Sequence, residues 1–150
     1  MGRELQLSGP HASPHCVGPA YVSIRRPRLS QILLVDDSPV QLQVREMILR
    51  NAGFQVAIAT SAESALVLLR AANQHIGLVI TDHIMPGTSG AEFVRRLRAS
   101  GDQMPVIVLS GLPDAQSEYE GLDVVFRTKP LPPLELIELV RRFRRAENAA

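Results

Sequence analysis

The spacing of apolar positions alternates regularly along most of the chain. Short runs that are apolar throughout, or nearly so, are typical of strands buried on both faces. Between these runs, apolar residues recur every three or four positions, which indicates helices. The predicted strands cover residues 32–35, 54–59, 76–81, 104–109 and 122–127, and the predicted helices cover 39–51, 61–72, 89–99, 114–120 and 133–145. This alternation predicts an α/β fold, a doubly wound, five-stranded parallel sheet with helices on both faces.

The first predicted helix has clear signals at its start. Ser38 is a suitable N-cap, and Pro39 occupies the first helical position, where proline is favoured. Val40, Val44, Met47 and Ile48 then recur at helical spacing and indicate an apolar side.

The amino-terminal segment, residues 1–29, has a different composition. It contains four prolines and three glycines, shows no sustained period, and carries a net charge of +3, whereas residues 30–150 carry −2. We interpret residues 1–29 as a disordered or loosely attached basic tail, and residues 30–147 as the folded domain. The tail could be a linker remnant, a localisation arm, the product of a start codon placed too far upstream, or a segment with no specific role.

Composition excludes several classes of protein. The total charge of +1 over 150 residues argues against a dedicated nucleic-acid binder. A single cysteine, Cys16, cannot form an internal disulfide, and no apolar run is long enough for a membrane span. We therefore expect a cytoplasmic domain without direct nucleic-acid or membrane contact. We also expect no room for a second, output domain.

Polar residues follow four of the predicted strands. Asp36 and Asp37 come after the first strand, and Asp82 after the third. Ser110 follows the fourth strand, and Lys129, the only lysine in the chain, comes just after the fifth. Because ligands bind at the carboxyl ends of parallel strands, these five side chains are expected to share one crevice.

The residue types indicate phosphoryl transfer onto a carboxylate. Closely packed carboxylates repel one another unless a cation neutralises them, and Mg²⁺ prefers such oxygen ligands. Lys129 and Ser110 can contact phosphoryl oxygens. An aspartate can itself be the nucleophile and become an aspartyl phosphate.

Asp36-Asp37, Asp82, Ser110 and Lys129-Pro130, in this order and spacing, resemble the receiver domain of bacterial response regulators over residues 31–146. The resemblance implies a flavodoxin-like strand order 2-1-3-4-5. It also implies a signalling domain rather than an enzyme with a separate substrate.

The resemblance assigns the metal ligands. Asp82 would be the phosphoacceptor and would share Mg²⁺ with Asp37, a direct ligand. Asp36 would act through a water molecule. The backbone carbonyl of Ile84, two residues after the acceptor, would complete the protein ligands.

The resemblance also assigns the phosphoryl contacts and a switch. Lys129 and Ser110 would hold the phosphoryl oxygens, and Phe126 would turn inward when Ser110 moves. The Lys129-Pro130 bond is expected to be cis. Apart from the resemblance, His83, directly after the acceptor, is expected to be a solvent-facing loop residue, and an influence on phosphoryl lifetime is the alternative. The spacing from Ser110 to Lys129 is shorter than usual, so the helix between the last two strands should be short or irregular.

The implied partners are a sensor histidine kinase or histidine phosphotransfer protein and a downstream protein target, with the chain a monomer or weak dimer. Three alternatives stay open: a phosphorylation-independent binding module with this fold, a receiver segment of a hybrid histidine kinase, and a Mg²⁺-dependent hydrolase. The hydrolase usually needs a second aspartate two positions after its nucleophile, where Pro39 and Ile84 stand.

Overall fold

The computed structural model describes residues 30–149, which form one five-stranded parallel sheet in the order β2-β1-β3-β4-β5. This strand order and the α/β class confirm the prediction. The strands are β1 (Gln31–Val35), β2 (Val56–Ala59), β3 (Ile76–Asp82), β4 (Val106–Ser110) and β5 (Val125–Thr128). The helices are α1 (Pro39–Asn51), α2 (Ala62–Arg70), α3 (Gly90–Ala99), a 3₁₀ helix (Pro113–Tyr119) and α4 (Pro133–Ala149). The predicted tail, residues 1–29, lies outside the described residues.

The sheet separates two hydrophobic cores. Ile32 and Leu34 of β1 belong to the core shared with α1 and α4, whereas Leu33 and Val35 belong to the core shared with α2, α3 and the 3₁₀ helix. Successive side chains of a strand point to opposite faces, so a strand between two cores must be apolar at every position. The uninterrupted apolar run of β1 therefore reflects its central place in the sheet.

Serine side chains cap three of the helices. Ser38, Ser61 and Ser89 each accept a hydrogen bond from the backbone N–H three residues later, at 3.4, 3.1 and 3.2 Å. Such caps satisfy N–H groups that the first helical turn leaves free. The caps of α1 and α3 follow the carboxyl ends of β1 and β3, so they fix the loops beside the acidic residues Asp36, Asp37 and Asp82.

The apolar side of α1 expected from the sequence is largely exposed. Val40, Val44 and Met47 are 69%, 46% and 57% exposed, and only Ile48 of the predicted set is half-buried. Leu42 and Leu49 make the buried contacts of this helix. Both sets of residues have helical spacing, and only the packing of α1 against the sheet decides which set is covered.

The segment between β4 and β5 forms a 3₁₀ helix, in agreement with its predicted shortness. The predicted β5 began three residues too early, at Leu122. Gly121 and Asp123 have φ values of +77° and +51°, outside the range of a strand, so the chain turns here before β5 begins. Of the helices in the described part of the chain, none is long and apolar enough to cross a bilayer.

Candidate functional site

The carboxyl ends of the central strands meet at one edge of the sheet. Asp82 is the last residue of β3 and pairs in register with Leu109 of β4. Ser110, the last residue of β4, pairs with Thr128 of β5. Parallel pairing in this register brings chain segments that are distant in sequence to the same crevice.

Three carboxylates lie together at this edge. One oxygen each from Asp36, Asp37 and Asp82 can be chosen so that all three lie within 4.8 Å of one another. Asp36 and Asp82 are buried, at 1% and 7% exposure, whereas Asp37 is exposed. This set of hard oxygen donors, closed on one side and open on the other, fits a divalent cation such as Mg²⁺.

Lys129 forms an ion pair with Asp82, between Nζ and Oδ1. Burial raises the pKa of Asp82, and the hydrogen bond and charge of Lys129 oppose that rise. The nearby charge of Asp36 adds to it. The Lys129-Pro130 bond is cis, as expected.

A second cation, Arg45 of α1, also contacts the carboxylates. Its Nη1 donates to Asp36 Oδ2 at 2.6 Å. Gln41, one turn earlier on the helix, accepts hydrogen bonds at Oε1 from both Arg45 Nη2 (2.8 Å) and Lys129 Nζ (3.1 Å). The two cations are thus joined through one amide oxygen.

The other predicted site residues lie around this cluster. Ser110 is buried, and its hydroxyl both donates to the Leu112 carbonyl (3.2 Å) and accepts from the Leu112 N–H (3.0 Å). Phe126 is half-buried and packs against Tyr119, with 5.8 Å between ring centroids. Ile84 follows Asp82 by two residues and has a side chain exposed to 60%. The roles assigned to these residues stay predictions.

The expectation that His83 faces solvent is wrong. His83 is only 6% exposed, and its Nδ1 lies 2.8 Å from the hydroxyl of Tyr119. The two rings meet edge to face, at 5.6 Å. The residue after Asp82 points into the core, where Tyr119 of the 3₁₀ helix supplies both an apolar surface and a hydrogen-bond partner.

Sequence reasoning missed Gln41, Arg45 and Tyr119. Gln41 and Arg45 are four residues apart, so a helical wheel places them on one side of α1. That spacing could have shown that they belong together, but not that they face the acidic cluster. Tyr119 gave no signal beyond its place in a short helix.

Comparisons with known proteins agree with this geometry. The family model described as "Response regulator receiver domain" matches residues 32–141. YkoG of Bacillus subtilis, an uncharacterized transcriptional regulatory protein, is 34% identical over 115 residues, which cover 77% of this chain and 50% of that protein. An uncharacterized 14.6 kDa protein of Leptolyngbya boryana is 33% identical over 117 residues, covering 75% of this chain and 88% of that protein.

A solved structure shares the fold as well. The crystal structure of a response regulator receiver protein from Pseudomonas putida superimposes with a TM-score of 0.70 at 33% identity, covering 75% of this chain and 96% of that one. The chain spans about half the length of several curated relatives that it matches, YkoG among them.

Proposed function

The chain belongs to the response regulator receiver family, and on this basis we propose that it accepts a phosphoryl group on Asp82 from a phosphohistidine. The ion pair between Lys129 and Asp82, inside a cluster of three carboxylates, carries the proposal. It combines a nucleophile, a cation for the incoming phosphoryl oxygens and a set of metal ligands in one crevice.

The proposed reaction exchanges one bond to phosphorus for another. The P–N bond of the donor phosphohistidine breaks while a carboxylate oxygen of Asp82 forms a P–O bond. The electron pair of the broken bond returns to the imidazole, which takes up a proton. Asp82 becomes an aspartyl phosphate, and positioning and charge neutralisation account for most of the acceleration.

Each residue of the crevice has a proposed part in this step. Lys129 neutralises charge on the phosphoryl oxygens, to which Ser110 donates a hydrogen bond. Asp37, Asp82 and the carbonyl of Ile84 would hold Mg²⁺ directly, with Asp36 acting through water. When bound, the cation neutralises charge on the carboxylates and the phosphoryl group.

The output is proposed to be a change in protein contacts. Phosphorylation adds charge at Asp82 and biases an equilibrium between two conformations. Phe126, packed beside Tyr119 near the protein surface, is the proposed switch aromatic. We propose a histidine kinase or histidine phosphotransfer protein as donor, a downstream protein as target, and the cytoplasm as the compartment.

The test is phosphorylation by a small phosphodonor. The protein is incubated with acetyl phosphate and Mg²⁺, and the product is analysed by intact-mass spectrometry after acid or base treatment. We expect one acid-stable, base-labile phosphoryl group, which is absent when a chelator removes the metal. Asp82→Asn should give no adduct, whereas Asp114→Asn, which changes an exposed aspartate of the 3₁₀ helix, should behave like the wild type. An equal adduct on Asp82→Asn, or none on the wild type, would contradict the proposal.

A further inference from the structure

Arg45 contacts Asp36, a carboxylate of the acidic cluster that would also attract a bound divalent cation. Its guanidinium contacts Asp36 at 2.6 Å, and the side chains of the pair are only 14% and 1% exposed. This ion pair is therefore shielded from solvent far more than a surface pair, and its electrostatic attraction is correspondingly stronger.

Both carboxylate oxygens of Asp36 already have hydrogen-bond donors. Oδ2 accepts from Arg45, and Oδ1 accepts from the backbone N–H of Ser38 at 2.9 Å. The contact with Ser38 belongs to the loop that starts α1, so it orients Asp36 independently of Arg45. Loss of Arg45 would leave the carboxylate oriented by this backbone contact but without its positive partner.

The charges of the cluster also bear on metal binding. Within residues 30–149, the three carboxylates are contacted by two cations, Arg45 and Lys129, which leaves a formal charge of −1. Without Arg45 the cluster would carry −2. A divalent cation is attracted to a negative cluster twice as strongly as a monovalent one. Because Arg45 makes the cluster less negative, it lowers the affinity of the crevice for a divalent cation.

Gln41 keeps Arg45 at this position. It accepts from Arg45 Nη2 and from Lys129 Nζ, so the two cations share one anchor on α1. A change at either cation therefore alters the hydrogen bonding of the other through this single amide oxygen.

We propose that Arg45 is a built-in counter-ion that competes with the water-mediated contact between Asp36 and the divalent cation, and thereby sets the metal affinity of the phosphoacceptor site. The inference rests on the proposed function, because the cation site in question is that of the receiver. It goes beyond that function by assigning to α1 a residue that sets the metal affinity of the site.

The first test is the affinity for Mn²⁺, used as a probe and measured by calorimetry on the whole chain. Arg45→Gln is expected to bind Mn²⁺ on the order of tenfold more tightly than the wild type. Arg45→Lys, which keeps the charge, should stay within about twofold of the wild type on the same electrostatic grounds. The matched control is Arg50→Gln, on the same helix, whose ion pair is with Glu46 outside the cluster. It should leave the affinity unchanged.

Equal or weaker binding by Arg45→Gln, relative to Arg50→Gln, would overturn the inference, since it would make Arg45 a purely structural support. Should Arg45→Gln fail to fold, a second measurement on the wild type decides. In a Mg²⁺ titration followed by NMR, the Arg45 side-chain Nε–H signal should move with site occupancy while that of Arg50 stays in place. An unmoved Arg45 signal would refute competition.

These outcomes separate the two proposals. A wild type that takes up no phosphoryl group on Asp82 contradicts the proposed function, and the competition inference falls with it. A wild type that binds Mn²⁺ and is phosphorylated, but whose affinity is indifferent to Arg45, contradicts only the competition.

Discussion

Removal of the Tyr119 hydroxyl tests how the residue beside the phosphoacceptor is held. In Tyr119→Phe the ring stays and the hydrogen bond to His83 Nδ1 is lost. The Nε2 atom of His83 lies 3.6 Å from Glu118, which favours the tautomer with the proton on Nε2. Nδ1 then accepts from the hydroxyl and has no donor in the variant.

The expected cost follows from burial. Tyr119 and His83 are 4% and 6% exposed, so the ring nitrogen left without a donor is largely shielded from water. An unsatisfied buried polar group costs about 1 to 3 kcal/mol. For a domain of this size each kcal/mol lowers Tm by roughly 4 °C.

The assay is urea unfolding of a double-mutant cycle. Tyr119→Phe and His83→Leu are measured singly and together. Ser117→Ala is the control, because its hydroxyl donates to the backbone carbonyl of Asp114 on the exposed face of the same 3₁₀ helix. The double variant removes both polar partners. Its loss in free energy of unfolding should be smaller than the sum of the two single losses, with a coupling of about 1 kcal/mol. The control should stay within about 0.5 kcal/mol of wild type. A coupling below about 0.3 kcal/mol would refute the reasoning.

Three further predictions concern the same edge of the sheet. Gly90→Ala would place a Cβ against the Asp82 carbonyl oxygen, closer than van der Waals contact allows, so urea unfolding should show a loss of about 1 to 3 kcal/mol. Gly111→Ala, with open space around it, is the control, and equal losses would contradict the steric argument.

Burial raises the pKa of Asp82 in the folded protein above its value in the unfolded chain, about 3.9. The stability that this carboxyl contributes is therefore fully present below the unfolded pKa and is lost as the pH rises through the folded pKa. As the pH rises from the unfolded pKa to 7, the Tm of Asp82→Asn should therefore fall less than the Tm of the wild type. Identical profiles of Tm against pH for the two proteins would contradict this expectation. Lys129→Met should raise the pKa of Asp82 further, because Lys129 lowers it; an unchanged ¹³C carboxyl titration would be the contrary result.

Local sequence determined the elements of this protein and the order in which its polar residues meet the sheet edge. The run from Ile32 to Val35 is apolar at every position because β1 lies between two cores, and that demand is visible in the sequence itself. Asp82 ends β3 and Lys129 follows β5, and parallel strands end at one edge. Their neighbourhood could therefore be predicted from chain order alone.

Tertiary structure alone decided which sides of the helices are covered and which helix residues join the strand-end residues at the site. Two sets of apolar residues on α1 have helical spacing, and its packing against the sheet leaves Val40, Val44 and Met47 exposed. The same orientation turns Arg45 toward Asp36. His83 is buried because Tyr119, far along the chain, supplies its partner. Helix orientation and burial depend on contacts between distant segments, and no local pattern specifies those contacts.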